Sequence, residues 1–570
     1  MSSVAAVSER AQLAERAPSH ERRNLAVALF LIGCVALAIA WLGDPRGASF
    51  SDAGGRLATV KTMAETDTWL PDLGYWAAAA DPDGGDHPIL FTIRYGDRWV
   101  EVTSLPLVVV GRPLWEIGGA RAVVLIPVLS VVLAAYAARR LSRWASGGDG
   151  RLALWFVGLL SPLLFYGADF WEHAPAVALA LLAISLILEG GGRRVFIGGL
   201  LAGLAAVMRN DLLVGYVALA MGAVVVTEER KRSVSRWREL LMGGAAGFAV
   251  LAANALMWRG LFGSAGASVR ASERTAAAGL DLAERGRDAV ITSVGVFANE
   301  YWLALMIGGI IGIGILLLAA AAADSSSSSS MTGVVGAVVA WGGLAWRFAA
   351  FGISTVPGFL TAAPVAALGL FGARNRREQV LFVGAVVAVP LTWATQWVGG
   401  HSPQWGARYL LLPTAILVVL AAAQVRRLGA TPFVVALLGL GVAMSAVGAA
   451  WHIERTKGIA KFAQDVLDVP ADVVIIADTP FMGTEIGSWY GERRWLTSGK
   501  SDGSAEPEDL AATMARAHEA GADRVDVLDS EDDPLERLDE NPTYPGFSYE
   551  STRVVEFLWD DVVIRRYVAA

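Results

Sequence analysis

The chain reads as a polytopic α-helical membrane protein of about 13 spans with a C-terminal extracytoplasmic α/β domain. Three observations predict this class. Of 570 residues, 54% are hydrophobic and only 18% charged, with a mean hydropathy of +0.48, too apolar for a soluble protein of this size. Apolar runs recur at lengths that cross about 30 Å of hydrocarbon at about 1.5 Å per residue. Finally, the Lys/Arg residues between those runs fall on one side of the membrane.

The spans are expected near 24–42, 119–137, 152–167, 172–189, 195–208, 212–226, 239–257, 301–323, 331–350, 356–372, 379–397, 409–424 and 431–450. The fifth and sixth are short enough to be tilted, partial or a broken pair. Arg22 and Arg23 precede the first span, and Arg139, Arg140 and Arg143, then Arg193 and Arg194, then Arg230, Lys231 and Arg232, share their side. Arg374, Arg376, Arg377, Arg426 and Arg427 agree. Residues 1–23 therefore read as a cytoplasmic tail, 24–450 as the membrane domain and 451–570 as an extracytoplasmic domain of a cell-membrane protein. Ala38-Ile39-Ala40 fits a signal-peptidase site, but the preceding run is long enough to be kept as a span. The serine run Ser325–Ser330 reads as a flexible linker. The lone cysteine, Cys34, allows no internal disulfide.

Two outer regions stand apart. Residues 43–118 are too long for a simple connector and carry a helical stretch at Gly54–Thr66 and a strand pair near Leu90–Arg94 and Arg98–Thr103. Their end, Leu105–Ile117, is apolar with Pro106 and Pro113 and suits a re-entrant or interfacial segment. In the tail, Val473–Ala477 and Arg524–Leu528 read as strands, Pro507–Ala520 as a helix, and Arg553–Tyr567 as a strand pair.

The candidate chemistry lies at the outer face. Asp52 follows the first span by about nine residues and reads as a general base or metal ligand; the alternative is a cap on the helix it precedes. Asp169, Glu172 and His173 stand at i, i+3 and i+4, a spacing that suits ligands of a divalent ion, or a solvated helix start. Asp81, Asp83, Asp86 and His87 form a second acidic group that looks like an exposed turn around Gly84 and Gly85. Arg209 interrupts two apolar runs, free to grip a phosphate or to pair with Asp211. In Gln404–Leu410, Arg408 sits at headgroup depth, with Trp405 and Tyr409 as sugar or lipid platforms or as plain interfacial anchors. Trp171 is a further substrate-binding candidate, and Arg56 and Lys61 are weaker phosphate candidates.

The order of these features resembles the GT-C superfamily of polyprenyl-phosphate-sugar-dependent glycosyltransferases, including its protein O-mannosyltransferase and aminoarabinose-transferase-like branches. The similarity covers residues 24–450. It rests on an acid soon after the first span (Asp52), an acidic loop between the third and fourth (Asp169, Glu172), the Arg209 loop, and a Gly-x-Arg-Tyr segment (Gly406, Arg408, Tyr409). What the resemblance implies is sugar transfer from a polyprenyl-phosphate donor to an envelope glycan, lipid or protein, with Asp52 matching the family's essential first-loop acid. The sequence departs from the paired-acid form of that motif, because Asp52 has no second acid beside it. A divalent ion, magnesium or manganese, would be held by Asp169, Glu172 and His173. Mannosyl- and arabinosyltransferase activities fall within that class, and no nucleic-acid partner is expected. The rival reading is a transporter or flippase of a lipid-linked or polar envelope substrate, which would place its binding groups near mid-bilayer.

Overall fold

The structure, a computed structural model, describes residues 2–101, 104–226, 234–263, 282–295, 301–324, 329–352, 357–395, 405–477, 480–498, 507–529, 542–558 and 560–570. Arg230, Lys231 and Arg232, most of the serine run, and Gln404 lie outside the described residues.

The membrane domain is a helical bundle. Its helices are α1 (Ser2–Leu42), α2 (Ser51–Glu65), α3 (Leu105–Val123), α4 (Leu125–Ser146), α5 (Arg151–Leu159), α6 (Leu163–Tyr166), α7 (His173–Glu189), α8 (Gly192–Met208), α9 (Leu212–Val226) and α10 (Val234–Phe262). There follow α11 (Leu282–Val294), α12 (Tyr301–Ala323), α13 (Ser329–Phe351), α14 (Phe359–Ala362), α15 (Ala366–Leu370), α16 (Arg376–Thr395), α17 (Leu411–Leu428) and α18 (Pro432–Leu467). Eight helical segments among the described residues are long and apolar enough to cross a membrane, which makes this a multi-pass membrane protein.

The count of about thirteen is not reproduced, and prolines account for part of the difference. The run expected at 152–167 breaks at Ser161-Pro162 into α5 and α6, and the run at 356–372 breaks around Pro364 into α14 and α15. Proline removes a backbone donor and clashes with the preceding turn. Leu105–Ile117 belongs to α3, a helix that accommodates Pro113 and leaves helical geometry only at Gly118 and Gly119.

Helix ends follow local chemistry. Thr431 caps α18 by accepting the Val434 amide, with Pro432 in the first turn, and Gly147 ends α4 at φ 70°. The last span does not stop near 450: α18 runs 36 residues, so its C-terminal third leaves the bundle as a strut into the mixed domain.

That domain holds a five-stranded sheet in the order β4-β3-β5-β7-β6. Its strands are β3 (Val473–Ile476), β4 (Arg494–Thr497), β5 (Arg524–Asp529), β6 (Phe547–Phe557) and β7 (Asp560–Ala569); β1 (Thr92–Tyr95) and β2 (Arg98–Glu101) form the separate hairpin of the long loop. Strands β3, β4 and β5 run parallel, and β7 and β6 are antiparallel. Val473, Ile475, Val525 and Val527 face α20 (Pro507–Glu519) together with Leu73, Tyr75, Ile89 and Trp99 of the long loop. On the other face, Val474, Ile476 and Leu528 meet Ile459, Phe462 and Val466 of α18 and Met482 of α19 (Pro480–Glu485). The alternation along each strand thus places the first long loop and the last long helix on opposite faces of one sheet. Strand β4, with its short Arg-Trp-Leu-Thr sequence, was not among the expected elements.

Candidate active site

The segment before α2 descends into an aromatic cage. Phe50 packs on Phe165, Tyr166, Trp171 and Trp451, with ring centroids 4.8 to 6.3 Å away. Phe50 is also the extended residue from which α2 starts, so Asp52 falls in the first helical turn, where a carboxylate favours the helix dipole. No side-chain cap is made there, and the capping role weighed for Asp52 is not the one it takes. Its Oδ2 accepts from Nη1 of Arg408 at 3.1 Å across 356 residues of sequence.

Arg408 is aimed by an unusual turn. Gly406 and Ala407 both lie in the left-handed region, at φ 71° and 58°, and the Gly406 amide donates to the Pro357 carbonyl. Pro162 fills the space where a side chain at 406 would stand. A left-handed alanine costs roughly 1 to 2 kcal/mol, a strain found where a side chain must be pointed at a site. Arg408 lies 5.5 Å over Trp171 and 4.8 Å over Tyr409, and Arg209 lies 5.2 Å from the same Tyr409 ring. Two guanidinium groups therefore stand close to one phenol ring. Nε of Arg408 is buried without a hydrogen-bond partner among the described residues.

Behind this pair runs a chain of alternating charges. Arg209 donates to Asp211 at 2.8 Å, stands 3.6 Å from Glu172 and touches the His173 ring. Glu172 accepts from Arg56 at 3.0 Å, and Arg56 reaches Glu101 at 2.6 Å and the Asp52 carbonyl at 2.9 Å. Burial raises the Glu101 carboxyl well above its ordinary range, aided by the charges of Asp52 and Glu172 and opposed by Arg56. The Glu101 and Glu172 side chains are 2% and 7% exposed and that of Asp52 is 23%. Of these three carboxylates, Asp52 is the one open to a substrate.

Several expected roles change in this geometry. Arg56 is enclosed by two carboxylates, which hold its guanidinium charged; it organises the site and is not free to grip a donor phosphate. Lys61 points away, donating to the Ser488 carbonyl at 3.0 Å and to Glu492 at 2.9 Å, and so ties α2 to the mixed domain. Trp405 and Trp171 are 2% and 1% exposed, which makes them walls of the aromatic cage and not platforms for a sugar. Tyr409 stays half-buried beside the two arginines.

The residues proposed for a divalent ion do not converge. Asp169 accepts the Ser49 amide at 3.0 Å, Glu172 faces Arg56, and His173 faces Arg209. No group of three His, Cys, Asp or Glu side chains among the described residues is placed to hold a metal ion. A cation at Glu172 would also face two guanidinium charges, so the residues present do not fit the group. The other acidic group is not the exposed turn expected from its glycines, because Asp81, Asp86 and His87 are buried and only Asp83 is exposed: Asp81 accepts from Tyr75 and the Asp86 amide, and Asp86 pairs with Arg516. His87 sits buried between the Gly74 and Ile89 carbonyls, and burial lowers its pKa to about 4.

An apolar cavity of about 720 Å³ opens between α7, α8, α9 and α10, lined in part by Ile184, Val195, Ala206, Leu213, Tyr216 and Phe248. Ala206 and Leu213 lie within three residues of the Arg209–Asp211 corner.

No protein-family model matches the chain, and no curated protein matches it. Among solved structures, it is similar to ArnT from Cupriavidus metallidurans bound to undecaprenyl phosphate, at 17% identity over 94% of this chain and 97% of that one, with a TM-score of 0.42. The apo form of that protein aligns at 14% identity over 95% and 98%, TM-score 0.45. The archaeal oligosaccharyltransferase AglB from Archaeoglobus fulgidus, in complex with an inhibitory peptide and a dolichol-phosphate, aligns at 12% identity over 88% and 69%, TM-score 0.41.

Proposed function

We propose that this protein is a membrane glycosyltransferase that moves a sugar from a polyprenyl-phosphate donor to an acceptor hydroxyl on the extracytoplasmic side. The observation that carries this reading is the contact between a partly exposed carboxylate, Asp52, and a largely enclosed arginine, Arg408, beside a second arginine that shares its aromatic neighbour. Two close cations favour an anion between or above them, and an unpartnered Nε is one more donor for it.

In this reading Asp52 takes the proton of the acceptor hydroxyl as its oxygen attacks the anomeric carbon. The sugar–phosphate bond breaks on the opposite side, so the anomeric centre inverts. Arg408 and Arg209 stabilise the charge that gathers on the departing phosphate. The cavity beside the Arg209 corner is apolar and lies next to the phosphate position, which suits the first units of a polyprenyl chain. No step is assigned to a metal. The N-terminus would be cytoplasmic and the mixed domain outside, because the arginines at the far end of the bundle (Arg139, Arg140, Arg426 and Arg427) obey the positive-inside pattern.

The test is transfer by purified protein from radiolabelled polyprenyl-phosphate sugars to envelope acceptors, with Asp52→Asn alongside. Activity lost in the variant supports the reading. Equal activity removes Asp52 from the chemistry, and substrate counterflow in vesicles without transfer from any donor would favour a transporter or flippase.

A further inference from the structure

The mixed domain reaches the site through a short stretch of chain. Arg455, where α18 passes from the bundle towards the mixed domain, donates through Nε to the Ser49 carbonyl at 2.7 Å and through its Nη2 to Glu485 at the end of α19. Ser49 stands three residues before Asp52. Its amide donates to Asp169 at 3.0 Å and its hydroxyl is hydrogen-bonded to His452 at 2.6 Å. The loop that launches α2 is thus held at every polar atom of one residue, with the buried Arg455 guanidinium joining it to the mixed domain.

A second contact acts on α2 itself. Gly54 lies against the Thr484 carbonyl, and Gly487 lies against the Gly54 carbonyl, so that a Cβ at either position would overlap backbone. Two main chains touch there because neither residue carries a side chain. At its other end α2 is fastened by Lys61 to Ser488 and Glu492. Residues 484–492 therefore lie along α2 from its first turn to its third.

We infer that this segment of the mixed domain positions Asp52 against Arg408: Glu485, through Arg455, and the Gly54–Gly487 contact are positioning elements of the catalytic unit. The inference rests on the transfer reading for its kinetic consequence, but its geometric content stands apart from it. A carboxylate held at one end of a helix moves with that helix. A misplacement of about 1 Å in a reacting group costs on the order of 100-fold in rate.

The experiment compares wild type with Glu485→Gln, which keeps the shape and removes the charge, and with Gly487→Ala, which forces the two backbones apart. Hydrogen exchange of the full-length protein in detergent is read over residues 49–57, and transfer is read as kcat and KM for the donor. Faster exchange at the start of α2, unchanged exchange in α4, α7 and α17, and kcat lowered about 10- to 100-fold at a donor KM within about twofold would support the inference. Glu485→Asp should recover part of kcat. Unchanged exchange at 49–57 in both variants overturns it whatever the activity, and so does a loss spread equally over the bundle helices. A wild-type protein inactive with every donor, but with the local exchange effect intact, would overturn the transfer reading and leave the positioning standing.

Discussion

Arginine–carboxylate pairs occur at both ends of the bundle, and they differ in how they are connected. At the end far from the mixed domain, Arg140 grips Glu189 through two bonds, Arg139 reaches Glu21, and Arg427 joins Glu378 and the Gly372 carbonyl. These pairs fasten one chain segment to another, and each has at least one partly exposed member: the Arg140 and Glu189 side chains are 24% and 21% accessible, Glu21 48% and Arg427 20%. At the domain end, Asp52, Arg408, Arg209, Glu172, Arg56 and Glu101 interlock, and buried polar atoms of Arg408 and Glu101 lack partners among the described residues. A staple needs only its own partner. A network with unmet hydrogen-bonding capacity has room for a further partner, because an unsatisfied buried polar group costs about 1 to 3 kcal/mol.

The largest expected effect separates the two ends outright. Asp52→Asn should lower kcat by about 10²- to 10⁴-fold, the range for removing a general base, while polyprenyl-phosphate binding persists. Next, Arg408→Gln should cost about 10²- to 10³-fold in transfer if it stabilises developing phosphate charge. A rise confined to donor KM, with kcat unchanged, would instead make it a binding group only.

A pH effect follows from the loop beside the cage. Burial raises the Asp169 carboxyl from 3.8 to about 7, against the Ser49 and Phe170 amides that favour its charged form. Between those values the folded state binds more protons than the unfolded one, so this group's contribution to stability falls as pH rises through the window. Melting temperature followed from pH 4 to 7 should decline less steeply in Asp169→Asn than in wild type, and parallel slopes would dismiss the effect. The smallest effect belongs to the far end. Arg140→Ala should change stability by about 1 kcal/mol or less and leave kcat unaltered; a clear loss of transfer would erase the distinction between the ends.

Much of the site was legible residue by residue, and its assembly was not. Asp52, Arg209 and Arg408 stood out because charged groups beside apolar runs are costly and therefore conspicuous. Glu101 gave no such signal: it ends a short hairpin strand in a polar loop, and only the fold brings it to Arg56. Arg455, Glu485 and Ser49 were equally silent, each being an ordinary polar residue until α18 and the mixed domain close over α2. Conversely, Arg56 and Lys61 looked free in sequence because pairing across 116 and 431 residues leaves no local trace.

The sequence by itself determined the apolar, many-helix class of the chain, the side on which its arginines gather, and which tail strands carry a two-sided apolar pattern. Those properties depend on residues within a few positions of one another. Only the tertiary structure decided which charges neutralise one another and which carboxylate stays open. Partner choice among buried ions is set by distances between elements far apart in the chain, and local pattern carries no record of those distances.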